Sequence, residues 1–475
     1  MLRRRGRKSS KIGWIILLIL IMGGGIAAAV YLYTAEDFER TPPVIKAPEY
    51  SYWNAKDPLN IEVSDNFGLK SYQVTLNDGK NTVPVAVADF LDGEKKKKIT
   101  VEYPQGKLDR KAKVLTLDIK ATDASKWNYL SGNSSEKVIQ LKIDYRRPNV
   151  NILANSYSIT QGGSALVIFQ ASDDDALAKL YIDADGYKFK AEPYREEGYY
   201  VALIAWPFRE DSFQAKIVAE DKAGNKRSTE IPLYLKNHQY RVSKIKVTDK
   251  FIDGKITDLA EEDPKYMKED KLERLRAINE TMRIDNEDLI HKYASKVSDE
   301  MIESWKIRPF YPLRNGQKVA SFGDHRYYYY KNKKKVVSES YHLGYDMAST
   351  QMAPIIASNP GTVVFADNNG IYGNMPMIDH GLGLYTLYGH CSTLKVKEGD
   401  KVHVGQVIAK TGKTGLAMGD HLHFGILVQG IEVRPVEWLD KKWINDNIVK
   451  IFRDADKIIL GADEEEKAEQ KESKK

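Results

Sequence analysis

The pattern of apolar and polar positions divides the chain into blocks of different character. From Ile12 to Tyr33, "IGWIILLILIMGGGIAAAVYLY", no residue carries a charge. A run of that length makes a helix able to cross a bilayer. Beyond it the pattern alternates. "LNIEVSDNFGLKSYQV" (59–74) and "ALVIFQASDDDALAKLYI" (165–182) each read as a strand, a Ser-Asp pair, a polar turn and a second strand. "LDIKATDAS", around Asp123, and "KIVAEDKAGN", around Asp221, form a second matching pair, and Pro43 and Pro148 open the two copies. Two units of about 100 residues, built of short alternating strands between turn signals, predict two Ig-like β-sandwiches, at 41–145 and 146–237. The acidic "SDDD" after Ala171 reads as a solvated turn in preference to a calcium site.

Residues 238–308 change to helical spacing. "PKYMKEDKLERLRAINETMRIDNEDLIHKYASKV" is charged and free of glycine, which predicts a linker of two helices, with His291 an ordinary helix residue. Over 309–440 short strands return, punctuated by glycine, as in "GTVVFADNNG", "GLYTLYGH" and "HLHFGILV". They predict an antiparallel β domain. A helix is expected at 441–460 and a disordered tail at 461–475. The fold class expected is mainly β, with one N-terminal transmembrane helix.

Charge refines this picture. The formal net charge is +6, but Arg3, Arg4, Arg5, Arg7, Lys8 and Lys11 all precede the apolar run, so the body is balanced. A balanced body argues against nucleic acid as a partner. The basic cluster places residues 1–11 in the cytoplasm and the body on the far side of the membrane. The expectation is a single-pass protein of the cytoplasmic (inner) membrane, helix 12–33, with its body in the periplasm or extracytoplasmic space. A cleaved signal peptide, cut near Ala27–Ala29, is the rival reading. The apolar run continues past those alanines, which favours the anchor. One cysteine, Cys391, excludes an intrachain disulfide framework.

The candidate chemistry lies in 309–440. In "GDHLHFG", His421 and His423 occupy positions i and i+2 of an expected strand and so share a face. The same domain holds His342 and Asp346 in "YHLGYDMAS" and His390 in "YGHCS". Catalytic zinc takes three N or O ligands and keeps one position open. His342, Asp346 and one of the paired histidines would fill that set. If 342–346 were extended, its ends would stand about 13 Å apart. The chain must therefore bend, and Gly344 permits it. Cys391, facing opposite to His390, reads as a packed residue. His325 reads as a surface-turn residue, His380 and His403 as structural, and "YYYYKNKKK" (327–335) as an exposed flexible hairpin.

These segments, with "ASFGDHR", "IDHGLGLYTLYGH" and "VKEGDKVHVGQVIAKTGKTG", resemble the lysostaphin-type (LytM-type) zinc endopeptidases that cut peptidoglycan cross-bridges. The resemblance implies Zn2+ held by His342, Asp346 and His423, with His390 and His421 as the catalytic pair. It implies peptidoglycan as substrate and an envelope protein as a candidate regulator. The pattern departs from the family at Gly425, where an acidic residue is common, and at "AMGD" (417–420), before the histidine pair. The resemblance also carries an alternative: a non-hydrolytic or autoinhibited LytM-type scaffold that activates a separate wall hydrolase.

Overall fold

A computed structural model describes residues 11–47, 50–90 and 93–461. Residues 1–10 of the basic segment and 462–475 of the expected tail lie outside the described residues. The chain forms two compact units, Met1–Arg147 with Asp221–Asn225, and Pro148–Glu220 with Lys226–Lys475.

The first unit begins with the helix Lys11–Thr34. An 18-residue window within Ile12–Thr34 reaches a mean hydropathy of 2.6, with no part buried in protein. Such a surface is costly in water, and the helix is long enough to span a hydrocarbon core. A sandwich of two sheets follows. One sheet orders Val44–Lys46, Leu59–Ser64 and Lys96–Val101. The other orders Tyr50–Trp53, Ser134–Ile143, Val114–Asp123, Leu69–Asn77 and Thr82–Asp89. The alternation in "VLTLDIKATD" sets the faces. Leu115, Leu117, Ile119 and Ala121 are buried, and they join Ile61, Val63, Ile99 and Val101 of the other sheet in one core. Each large side chain buried this way contributes about 1.5–3 kcal/mol.

The second unit holds the second sandwich and everything after it. One sandwich sheet orders Glu192–Tyr194, Glu196–Ala205, Ser164–Ser172 and Asn149–Asn155. In "SALVIFQAS" five consecutive residues, Ala165 to Phe169, are buried without alternation. A strand loses its polar face when both faces are covered. Here the C-terminal helix Lys450–Leu460 packs on it, and Ile451, Phe452 and Ala455 enter the same core. Trp438 Nε1 donates to Ser164 Oγ (3.1 Å), and Arg195 pairs with Asp456 (2.8 Å), which also accepts from the Tyr194 hydroxyl (2.6 Å). The second sandwich thus shares a continuous core with the C-terminal domain.

The segment 238–308 begins with a strand, where sequence spacing suggests helix. Val242–Val247 pairs in parallel with His325–Tyr330, which pairs antiparallel with Val336–Tyr341. The tyrosine-rich run is therefore a hairpin built into a sheet, with Tyr328 buried. Helices follow at Asp249–Phe251, Thr257–Glu262, Lys271–Arg276 and Arg283–Ala294; π-helical turns join the first to the second and the third to the fourth, and the 3-10 turn Pro264–Tyr266 lies between the second and third. Asp270 caps the third, accepting from the Leu272 and Glu273 N–H groups. Their apolar side chains pack against Tyr372, Met375, Tyr385 and Leu387 of the next domain.

The strands of that domain pair antiparallel with one another. Its main sheet orders Gln317–Ala320, Tyr345–Ala348, Leu422–Val428, Leu384–Gly389, Asn374–Asp379, Gly361–Asn368 and Lys401–Val402. The register sets Asp346 opposite His423, and His423 opposite Gly389.

Candidate functional site

That register brings three separated segments to one point. Between the strands Val336–Tyr341 and Tyr345–Ala348 the chain turns at His342–Gly344, so the histidine and Asp346 converge. Glycine is needed there for space. A Cβ on Gly344 would stand 2.4 Å from the His423 ring. The next strand over ends at Gly389, and His390 then adopts φ +66°, a left-handed conformation rare for a side-chain-bearing residue. Strain of this kind persists where the surroundings fix it, and it aims this imidazole at the others.

All five residues singled out from sequence line one cleft of about 330 Å³. Asp346 Oδ1 lies 2.9 Å from His342 Nε2 and 2.9 Å from His423 Nδ1, and those two nitrogens are 3.1 Å apart. All three residues are buried. His342 Nδ1 donates to the Ser321 carbonyl (2.8 Å), which fixes its proton there and leaves Nε2 as a lone pair. Lone pairs crowded to this distance repel unless a cation joins them, so the donor set fits a metal ion. Burial opposes ionisation of Asp346, yet His342 and His423 beside it hold its carboxyl well below the usual range. Burial lowers His423 to about 4, against the pull of Asp346.

His390 and His421 stand beside this cluster. Their ring centroids are 4.8 Å apart, and His421 Nε2 is 3.7 Å from Asp346 Oδ2. His390 Nδ1 donates to the Thr414 carbonyl (2.9 Å) and His421 Nδ1 to the Gly419 carbonyl (2.8 Å). Each carbonyl fixes a tautomer that turns Nε2 toward the cleft. Burial, then His421 and His423, hold His390 well below its ordinary value.

The other histidines stay apart. His325 lies on a strand, stacked on Tyr341, and does not line this cleft. His380 is buried between the Pro360 carbonyl and Thr386 Oγ1, and His291 bonds Glu432. Cys391 is fully buried, its thiol donating to the Tyr388 carbonyl, and it does not line this cleft. The helical segment contributes to the same cleft: Phe251, Ile256, Leu275, Asn279 and Arg283 line it together with the histidines.

A family model described as "Peptidase family M23" matches residues 340–435, the span that carries all five residues. The chain carries a peptidase family M23 domain. Over 95 residues the M23 domain is 42% identical to the DD-carboxypeptidase/endopeptidase Mpg of Neisseria meningitidis, covering 20% of this chain and 22% of that protein. Over 95 residues it is 41% identical to the peptidoglycan DD-endopeptidase ShyA of Vibrio cholerae, 20% of this chain and 21% of that protein. It is also 37% identical over 107 residues to the murein hydrolase activator NlpD of Escherichia coli, 22% of this chain and 28% of that protein. The match spans about a fifth to a quarter of the length of these relatives. The M23 domain thus sits among peptidoglycan-related proteins of two kinds, endopeptidases and an activator.

Proposed function

We propose that the protein is a membrane-anchored zinc metalloendopeptidase that hydrolyses peptide cross-links of peptidoglycan, with its helix in the cytoplasmic membrane and its body outside. The observation that carries this reading is the convergence of His342 Nε2, Asp346 Oδ1 and His423 Nδ1, with two further imidazoles beside them. Those three residues would hold zinc, which supplies Lewis acidity toward water and a peptide carbonyl. His390 and His421 do the proton work. An Nε2 held as a lone pair accepts the proton of an attacking water. Once protonated, that edge donates to the oxyanion or to the leaving amine.

The test is digestion of purified peptidoglycan by the full-length protein in detergent, with muropeptides read by mass spectrometry. Conversion of cross-linked dimers to monomers, stopped by a chelator and by His421→Ala, supports the reading. Intact dimers in the presence of bound zinc overturn it for the protein as it stands.

One observation favours a regulated form of the same reading. The helical wall from Phe251 to Arg283 lines the cleft from outside the matched family span. An envelope partner that moved this wall would admit substrate. The non-hydrolytic activator reading leaves the five-residue constellation without a use.

A further inference from the structure

Far from the M23 cleft, three carboxylates meet in the first unit. Glu39 follows the short 3-10 turn Glu36–Phe38, Asp65 follows the strand Leu59–Ser64, and Asp123 ends the strand Val114–Asp123. One oxygen from each lies within 4.8 Å of the other two. Asp123 is fully buried and Asp65 is 8% exposed. The cations nearest in sequence are engaged elsewhere: Lys126 pairs with Asp37, and Arg40 lies over the Tyr33 and Trp127 rings.

Asp65 shows the mismatch most directly. Its Oδ1 accepts the N–H groups of Phe67 (2.9 Å) and Gly68 (2.8 Å). Its Oδ2 is buried with no hydrogen-bond partner. A buried carboxylate oxygen without a partner is strongly unfavourable, and three like charges this close are worse. A proton shared by Glu39 and Asp123 relieves only part of this. Burial pushes Asp123 up, against hydrogen bonds donated by the Asn133 N–H and side-chain amide, and Glu39 alongside adds to the rise. That proton leaves Asp65 Oδ2 where it was. A cation placed among the three oxygens answers every member at once.

We propose that Glu39, Asp65 and Asp123 bind a divalent cation of the calcium class where the chain leaves the apolar helix and enters the first sandwich. The donors are all hard oxygens, with no imidazole or thiolate in the set. Three protein carboxylates leave room for water, which matches the weak, roughly 10⁻⁴–10⁻³ M class of extracellular calcium modules. The sequence repeat carries aspartate at the two corresponding places of the second module, Asp173 and Asp221. Bound calcium would tie the segment after the helix to two sandwich loops and stiffen the joint above the membrane.

The experiment uses full-length protein in detergent, supplied with zinc, in buffer stripped of other divalent ions. Calcium chloride is titrated in while trypsin cleavage after Arg40 and thermal unfolding are followed. At about ten times its Kd, calcium should slow cleavage about tenfold in the wild type. Glu39→Gln and Asp65→Asn should remove that protection. Without calcium both variants should melt at or above the wild type, because each removes a repelling charge. This reversal of order between the two buffers separates a cation site from a folding defect. Equal calcium protection in wild type and both variants, or none in the wild type up to several millimolar, overturns the proposal. So does protection of the wild type by acid alone, which would assign the cluster to a proton.

Discussion

Asp346 lies directly across the sheet from His423, and its Oδ1 is 2.9 Å from His423 Nδ1. The proposed ligand pair is therefore fixed by strand register, which a one-residue slip would reverse to the other face. Replacing either residue should abolish the metal site and leave the sheet intact. His423→Ala and Asp346→Asn should each lose stoichiometric zinc, measured by atomic emission, with hydrolysis falling to background. Zinc retained at one equivalent in both variants would refute their assignment as ligands.

His421 separates binding from chemistry. Its Nε2 faces the cleft but stands 3.7 Å from Asp346 Oδ2, outside the tight triangle of donors. His421→Ala should keep its zinc and lose about 10²–10⁴-fold in hydrolysis. Loss of zinc in step with activity would make His421 a ligand instead.

Gly344 carries no side chain of its own, yet its replacement should be felt at the proposed metal site. An added methyl group meets the His423 ring at 2.4 Å. That ring has little room to retreat, with Tyr372 against it at a centroid distance of 5.4 Å. Gly344→Ala should weaken zinc binding by about 10–100-fold, the range seen when ligand orientation is disturbed. Competition with a chromophoric chelator measures it, and an unchanged affinity would show that the ring moves freely.

A pH dependence should come from Glu437, which joins the last helices to the second sandwich. Its Oε2 accepts the Ser164 N–H at 3.2 Å. Burial pushes it from 4.5 to about 7, against the opposing effect of Arg434. A carboxyl raised on folding stabilises fully below its unfolded value, and that contribution is lost as pH climbs through the folded one. The window is therefore pH 4.5 to 7, and the loss is about 3 kcal/mol by the size of the shift. Glu437→Gln should melt with the wild type near pH 5 and above it near pH 8. Parallel melting curves across that range would exclude Glu437 as the cause.

The helical wall makes a prediction about access. Phe251 reaches the cleft from outside the matched family span. Phe251→Ala should raise hydrolysis of intact sacculi several-fold and change turnover of a small soluble cross-linked fragment less. Equal changes on both substrates would argue that the wall does not limit entry.

The site was legible in sequence because its residues sit in short motifs whose spacing is itself the chemistry. "HLGYD" and "HLH" place their side chains by local bend and by strand alternation, and the fold had only to bring them together. The sandwiches were legible for the same reason: Leu115, Leu117, Ile119 and Ala121 alternate. What escaped was pairing at a distance. "RVSKIKV" carries no sign that Val242–Val247 will pair in parallel with His325–Tyr330. Nor does Glu39 announce that it will meet Asp65 and Asp123, since carboxylates before a sandwich are ordinary in solvent. The burial of Ala165 to Phe169 was visible as an apolar run, but not its cause, the helix Lys450–Leu460.

That long-range closure has a consequence for the order of assembly. Ser164 finds Trp438 across 274 residues, and Tyr194 finds Asp456 across 262. Contacts of such separation form late, because the loop between their ends must close first. His421 and His423 arrive on the same late stretch of chain, immediately before those clamps. A nascent chain stopped short of them would have His342 and Asp346 in hand and no third donor. If these residues hold metal as proposed, that competence is acquired together with the seal on the second unit.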